Sequence, residues 1–190
     1  NRVTSLVPSI CALSITPNGS VSAPAFQESS FAGSRLYFPY IFTNTGNALQ
    51  EYSLQTVIEV SSTVTPAQVN LILDSNNNQT ADVGEGVITS LSAIAPDTSV
   101  SLLLEIILDD DMTLSGNVFV NVLGACARDA RIQDTYKISQ ITVLEGGIRN
   151  LEKTSVPASG SFVVAGDTIT YTVSFDVNQN QLNNVVITDV

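Results

Sequence analysis

Residues 74–85, DSNNNQTADVGE, carry oxygen-bearing side chains at alternate places. Counting Asp74 as position one, positions three, five, nine and twelve are Asn76, Asn78, Asp82 and Glu85, and Thr80 at position seven can offer its main-chain carbonyl. A hard divalent cation takes about six to eight oxygens at roughly 2.3–2.6 Å. This spacing curls one short segment around such an ion, with a bidentate glutamate closing the far side. The expected ligands are therefore Asp74, Asn76, Asn78, Thr80, Asp82 and Glu85, and the expected ion is calcium. None of these groups is poised for proton transfer, so the expected effect is a stiffened loop.

Two departures from the helix–loop–helix calcium pattern bear on affinity. Position six, usually a glycine that supplies a left-handed backbone, is Gln79, and the flanks VNLIL and GVITSL read as strands. The competing reading is an Asn-rich hairpin loop whose side chains bond their own backbone and water.

Other chemistry is thinly supplied. The chain has no His to act as general base or zinc ligand, and it has neither a Gly-rich phosphate loop nor a GxSxG elbow. What remains is a carboxylate pair drawn from Glu59, Asp97, Glu105 or residues 109–111, or a serine activated by Lys137 or Lys153. Neither has positional support, since scattered carboxylates on a β protein usually solvate its surface, so no enzyme is expected. A Lys on a first strand can condense with an Asn or Asp on a last strand. For Lys153 that last strand is missing from the sequence, and a snorkelling Lys is the default. Tyr37, Tyr40, Tyr52, Tyr136 and Tyr171 are all expected in strands, which disfavours an aromatic binding surface.

The elements that must position these residues are strands. Leu36, Phe38, Tyr40 and Phe42 share one face, with Pro39 on the other marking an edge or bulge. Residues 50–60 and 68–73 supply strands leading into the loop. Residues 98–108 read as a central strand with Val100, Leu102, Leu104 and Ile106 on one face, and residues 117–127 and 135–144 follow. Two short runs broken at Pro8 occupy residues 3–15, and turn signals stand at 16–19 and 43–47. About eight β-runs without sustained helical periodicity predict an all-β, immunoglobulin-like sandwich.

Composition agrees. Charged residues make up 13% of the 190, and the seven basic ones form no run against a net charge of −11, so nucleic acid and anionic lipid are poor partners. No apolar run is long enough to span a bilayer. Cys11 and Cys126 lie in the apolar segments SICALSI and NVLGACA. They read either as a strand-to-strand disulfide, which implies an oxidising, extracytoplasmic setting, or as two buried thiols. Asn1 is not a translation start, and a removed secretion signal would explain it. Asn18-Gly19-Ser20 is a glycosylation sequon.

Residues 32–54 lie over residues 165–187 without a gap. Ala32-Gly33 falls on Ala165-Gly166, Phe38 on Tyr171, Phe42 on Phe175 and Leu49 on Leu182. This predicts a sandwich domain over 1–145 with the calcium loop, a hinge at 145–147, and a second copy beginning over 146–190. That copy is incomplete, which suggests a piece of a longer tandem protein or completion by a neighbour.

The phrases AGSRLYFPYIFTNTGNALQEYSL, LILDSNNNQTADVGEGVI, TSVSLLLEIIL and LEKTS…AGDTITYTVSFDVNQNQLNNVVITDV resemble the bacterial and archaeal cell-surface repeat known as the domain of unknown function eleven. The resemblance covers residues 30–144 and, more tightly, 150–190. The TNTGN turn is complete at 43–47 and altered to VNQNQ in the second copy. Within that class, the calcium-type insertion and disulfide-bearing core resemble the hexagonally packed surface-layer proteins of Deinococcus-type bacteria. The resemblance implies tandem immunoglobulin-like sandwiches and a mechanical, self-assembling role at the cell surface, together with copies of itself and another cell-envelope component. It brings no catalytic residues. The alternative is an adhesin-type module holding a host or carbohydrate ligand.

Overall fold

The computed structural model describes residues 7–109, 115–144, 148–177, 186 and 188, and every described element is a strand. The expected all-β sandwich is the architecture found. One sheet has the order β1 (Leu13–Thr16), β3 (Arg35–Asn44), β7 (Ser99–Ile107), β5 (Gln68–Leu73), all antiparallel. The other runs β2 (Phe26–Ser30), β10 (Ile138–Val143), β8 (Gly116–Cys126), β4 (Gln50–Ile58), β6 (Ser90–Ile94), with β9 (Asp129–Asp134) also paired to β8. In this second sheet β2 and β10 are parallel. β11 (Ile148–Val156) and β12 (Thr170–Val177) form a separate antiparallel pair.

The period-two pattern explains the layering, because alternate side chains of a strand leave opposite faces. Leu36, Phe38, Tyr40 and Phe42 of β3 and Leu102, Leu104 and Ile106 of β7 meet Tyr52 and Leu54 of β4, Val118, Val120 and Val122 of β8, and Ile141 and Val143 of β10 in one core. Phe42 and Tyr52 close edge-to-face with centroids 4.7 Å apart, and Phe26 packs on Phe38 and Tyr40 at 5.6 and 5.4 Å. β7 is central, as expected. Pro39 needs no bulge, since the β1 register ends at Thr16↔Ile41 and β3 has only β7 beside it at Pro39.

The short strand β1 pairs with β3 yet rests on the opposite sheet. A Cβ on Gly124 of β8 would come within 2.8 Å of Leu13 Cδ1 and 2.9 Å of Ile15 Cδ1, so the missing side chain is what lets β1 settle there. The Tyr52 hydroxyl donates across the layers to the Ala12 carbonyl at 3.0 Å. Cys11 and Cys126, 115 positions apart in sequence, are joined as a disulfide with S–S 1.97 Å.

Three expectations need correction. The runs in residues 3–15 reduce, over the described positions, to β1. β2 and β9 have polar sequences, FQESS and DARIQD, and lie on edges of the second sheet where alternation carries little signal. Tyr136 is not in a strand: it stands between β9 and β10 at φ 64° and is 69% exposed. Asp110, Asp111 and the VNQNQ turn of residues 177–181 beyond Val177 lie outside the described residues, as does the 145–147 hinge. Gly33 and Gly166, aligned in the sequence comparison, both take positive φ (74° and 100°) in turns that precede strands.

Tyr40 is 1% exposed. Its hydroxyl donates to the Lys137 carbonyl at 2.8 Å and lies 2.7 Å from Ser139 Oγ. Burial pushes its pKa up to about 12, against a smaller opposing effect of the Ser139 contact. Tyr40→Phe is expected to cost about 1–3 kcal/mol near neutral pH by stripping bonds from buried groups. Between pH 10 and about 12 the unfolded chain has released this proton and the native chain has kept it, so the wild type loses stability as pH rises. Urea midpoints across that range should therefore show the gap between wild type and variant closing.

Candidate functional site

The loop of residues 74–85 leaves β5 and returns to bridge it. Val87 pairs with Ile72, the Leu73 N–H donates to the Gly86 carbonyl at 3.3 Å, and the Ile88 N–H donates to the Leu71 carbonyl at 2.8 Å. The base is also fixed to the central strand, where the Asp74 N–H donates to the Ser101 carbonyl (3.1 Å) and Ser101 Oγ donates to Asn77 Oδ1 (2.7 Å). Two strands thus hold the ends of the segment, and its interior is shaped by its own side chains.

Asp74 is buried at 4% exposure, and its two oxygens accept the N–H groups of Asn78 (3.1 Å) and Gln79 (3.0 Å). Glu85 closes the other end: Oε1 accepts the Ser75 N–H (2.7 Å) and Oγ (3.0 Å), and Oε2 accepts the Asp82 N–H (3.1 Å). Asn76 and Asn78 turn their amide nitrogens onto Asp82 Oδ2 at 2.7 and 2.6 Å, and Asn78 Oδ1 accepts from the Thr80 N–H and hydroxyl. The six expected ligand residues therefore share one contiguous structure. Gln79 adopts φ 63°, the left-handed conformation that position six requires and that a glycine would take without strain.

The donor set suits a hard cation in kind, being carboxylate, carboxamide and carbonyl oxygen. A half-turn of the Asn76 and Asn78 amides exchanges nitrogen for oxygen at the same place. Among the described residues no three His, Cys, Asp or Glu side chains gather closely enough to hold a metal by themselves, so a cation here would depend on the asparagines and on Thr80.

Those of the residues weighed for catalysis that are described are spread over different elements. Glu105, on β7 and 4% exposed, accepts from Arg35 Nη1 (2.7 Å), the Tyr37 hydroxyl (3.1 Å) and Asn70 Nδ2 (2.7 Å). It ties β3, β7 and β5 together through cross-strand neighbours. Glu59 follows β4 in the other sheet and accepts from Asn121 Nδ2. Asp97 occupies a turn at φ 58° before β7. Lys153 Nζ sits 4.6 Å from the Tyr171 ring centroid.

No family model matches the chain, and no curated protein does. Solved structures do show likeness. Over 72% of its length the chain is similar to 28% of a family 123 glycoside hydrolase from Clostridium perfringens, at 12% identity and a TM-score of 0.46. Over 72% of its length it is similar to 90% of AvmM, which catalyses macrocyclization in alchivemycin A biosynthesis, at 13% identity and a TM-score of 0.42. Over 75% it is similar to all of AggA, the major subunit of aggregative adherence fimbriae type I from Escherichia coli, at 8% identity and a TM-score of 0.35. The chain spans just over a quarter of the hydrolase, and none of these likenesses reaches the level from which function follows.

The hydrogen bonds to Glu85, that from the Asp82 N–H first and those from Ser75 after it, hold its carboxyl below the usual glutamate range. Its contribution is present above that range and fades as pH falls through the lowered pKa. Glu85→Gln should therefore be less stable than wild type at neutral pH, and the difference in urea midpoint should shrink toward acid. Gln79→Gly should raise stability by roughly 0.5–1 kcal/mol, the left-handed strain relieved less the chain entropy a glycine adds.

Proposed function

We propose that this chain is a non-catalytic building block of an extracellular surface layer or filament, stiffened by calcium at residues 74–85 and assembling with copies of itself. The observation that carries this reading is the loop. Asp74, Asn76, Asn78, Thr80, Asp82 and Glu85 share one short segment whose backbone at Gln79 already has the left-handed form, and both ends of the segment are fixed to strands of a rigid sandwich. Calcium bound there would lock a long connection against β7. The disulfide suits an extracytoplasmic setting, and the acidic surface favours cation-bridged contacts between copies.

In this reading residues 1–145 are one sandwich domain and residues 146–190 begin a second. β11 and β12 cannot cover their own apolar side chains: Leu151 is 67% exposed, Val156 71%, Tyr171 57% and, in the turn between them, Phe162 is fully exposed. A two-stranded sheet is marginal alone in water, so further strands, from this chain or from a neighbour, would complete it. An adhesin-type module for a host or carbohydrate ligand is the second reading. Tyr136 favours it, an exposed ring beside the shallow hollow that contains Asn18 and Ser20.

Calcium at a hundred times its Kd should add about 2.7 kcal/mol of stability. Melting curves in chelator, magnesium and calcium should show a rise specific to calcium that Asp74→Ala abolishes; equal curves in all three would remove the site. Electron microscopy after calcium addition should show sheets or fibres. A dispersed monomer that binds glycans, and stops doing so in Tyr136→Ala, would favour the adhesin.

A further inference from the structure

Lys137 is the most enclosed cation among the described residues, with its side chain 4% exposed and its main chain held on several sides. The Lys137 N–H donates to Asn121 Oδ1 at 2.9 Å, and its carbonyl accepts from the Tyr40 hydroxyl and from the Val122 N–H at 3.2 Å. From this fixed base Nζ reaches three oxygens: Asn18 Oδ1 at 2.5 Å, Asp134 Oδ1 at 2.7 Å and the Thr135 carbonyl at 2.9 Å.

Asp134 is part-buried and Asn18 exposed, and each is placed by its neighbours. The second oxygen of Asp134 accepts the Ile15 N–H at 2.6 Å, which clamps the carboxylate between β1 and the lysine. Asn18 stands next to Gly19, which forms a parallel bridge with Lys137. A Cβ on Gly19 would lie 2.2 Å from the Ala25 nitrogen and 2.6 Å from the Ile138 carbonyl oxygen. Only a glycine allows the backbone to come this close, and that approach brings the Asn18 carboxamide to the amine.

A salt bridge needs the lysine and the aspartate alone. Here the amine also touches the oxygen of a carboxamide, with its own side chain shielded from water and its backbone unable to withdraw. Such positioning converts a slow bimolecular reaction into a favourable intramolecular one. We propose that Lys137 and Asn18 condense into an intramolecular isopeptide bond, with Asp134 as the proton carrier. Asp134 takes one proton from the Nζ ammonium, which frees the nitrogen pair to attack Asn18 Cγ as the carbonyl electrons move to Oδ1. Asp134 hands that proton to Nδ2 and takes a second from Nζ; as the electrons return, the Cγ–Nδ2 bond breaks, and the ammonia released carries off the second proton as ammonium. One amide bond forms as one breaks, and no oxidant or reductant takes part.

The usual rival at an Asn-Gly pair is attack by the glycine nitrogen on the carboxamide. The Gly19 N–H is instead bonded to the Tyr136 carbonyl at 2.7 Å, which turns that nitrogen away. The product would tie positions 119 apart in sequence, beside the disulfide that ties positions 115 apart. Both links join the segment around β1 to the β8–β10 region, so tension along the chain would bypass everything between. The inference is independent of the calcium loop and of assembly.

The test is the mass of the intact, folded, reduced full-length protein. The wild type should be lighter than its sequence by one ammonia. Trypsin should then release residues 3–35 covalently joined to residues 132–149, uncut after Lys137. Lys137→Arg and Asp134→Asn should each show the full sequence mass and release residues 3–35, 132–137 and 138–149 as three separate peptides. A wild type of full mass that trypsin cuts after Lys137 would overturn the proposal, as would a glycan on Asn18 or conversion of Asn18 to aspartate without a link. The wild-type peptide result decides the matter even if both variants fail to fold.

Discussion

The seating of β1 against the opposite sheet is the constraint on which the sandwich depends. This four-residue strand has one neighbour in its own sheet, β3, and would be weak if pairing were all that held it. Its side chains instead cover Gly124 of β8, its flank is bonded to Cys126, and the Ile15 N–H is taken by Asp134. The Tyr52 hydroxyl adds a bond to Ala12. Each of these joins the segment around β1 to the second sheet, so the two layers are coupled there.

Polar groups inside the fold serve that coupling. Glu105 is surrounded by Arg35, Tyr37 and Asn70 on the two flanking strands, which offsets the cost of burying a carboxylate. Tyr40 reaches from the centre of one sheet to the Lys137 carbonyl and the Ser139 hydroxyl at the start of β10 in the other. Neither group is left with unsatisfied capacity aimed into a cleft. Glu105 and Tyr40 thus act as rivets, the first between strands of one sheet and the second between the two sheets.

The loop after β5 is different in kind. Its carboxylates are satisfied by its own main chain and amides, and two strands fix its ends. A cation would compete with bonds that are local to the loop, whereas loss of a rivet such as Glu105 would disturb three strands at once.

The sequence alone determined the inward rows of β3 and β7 and the existence of β4, β5, β8 and β10, because burial of one face imposes a period of two that survives in the residue order. It also singled out the loop at 74–85 as the place to look, since the six oxygen-bearing positions are close neighbours along the chain. β2 and β9 could not be read: β9 is polar, and β2 offers the core one aromatic side chain, Phe26, ahead of four polar residues, too little for alternation to show. Only the tertiary structure decided that Lys137 meets Asn18, that Gly19 and Gly124 are points of close approach, and that Tyr136 leaves its strand. Those facts arise from contacts across more than a hundred residues, where neither periodicity nor spacing carries any signal.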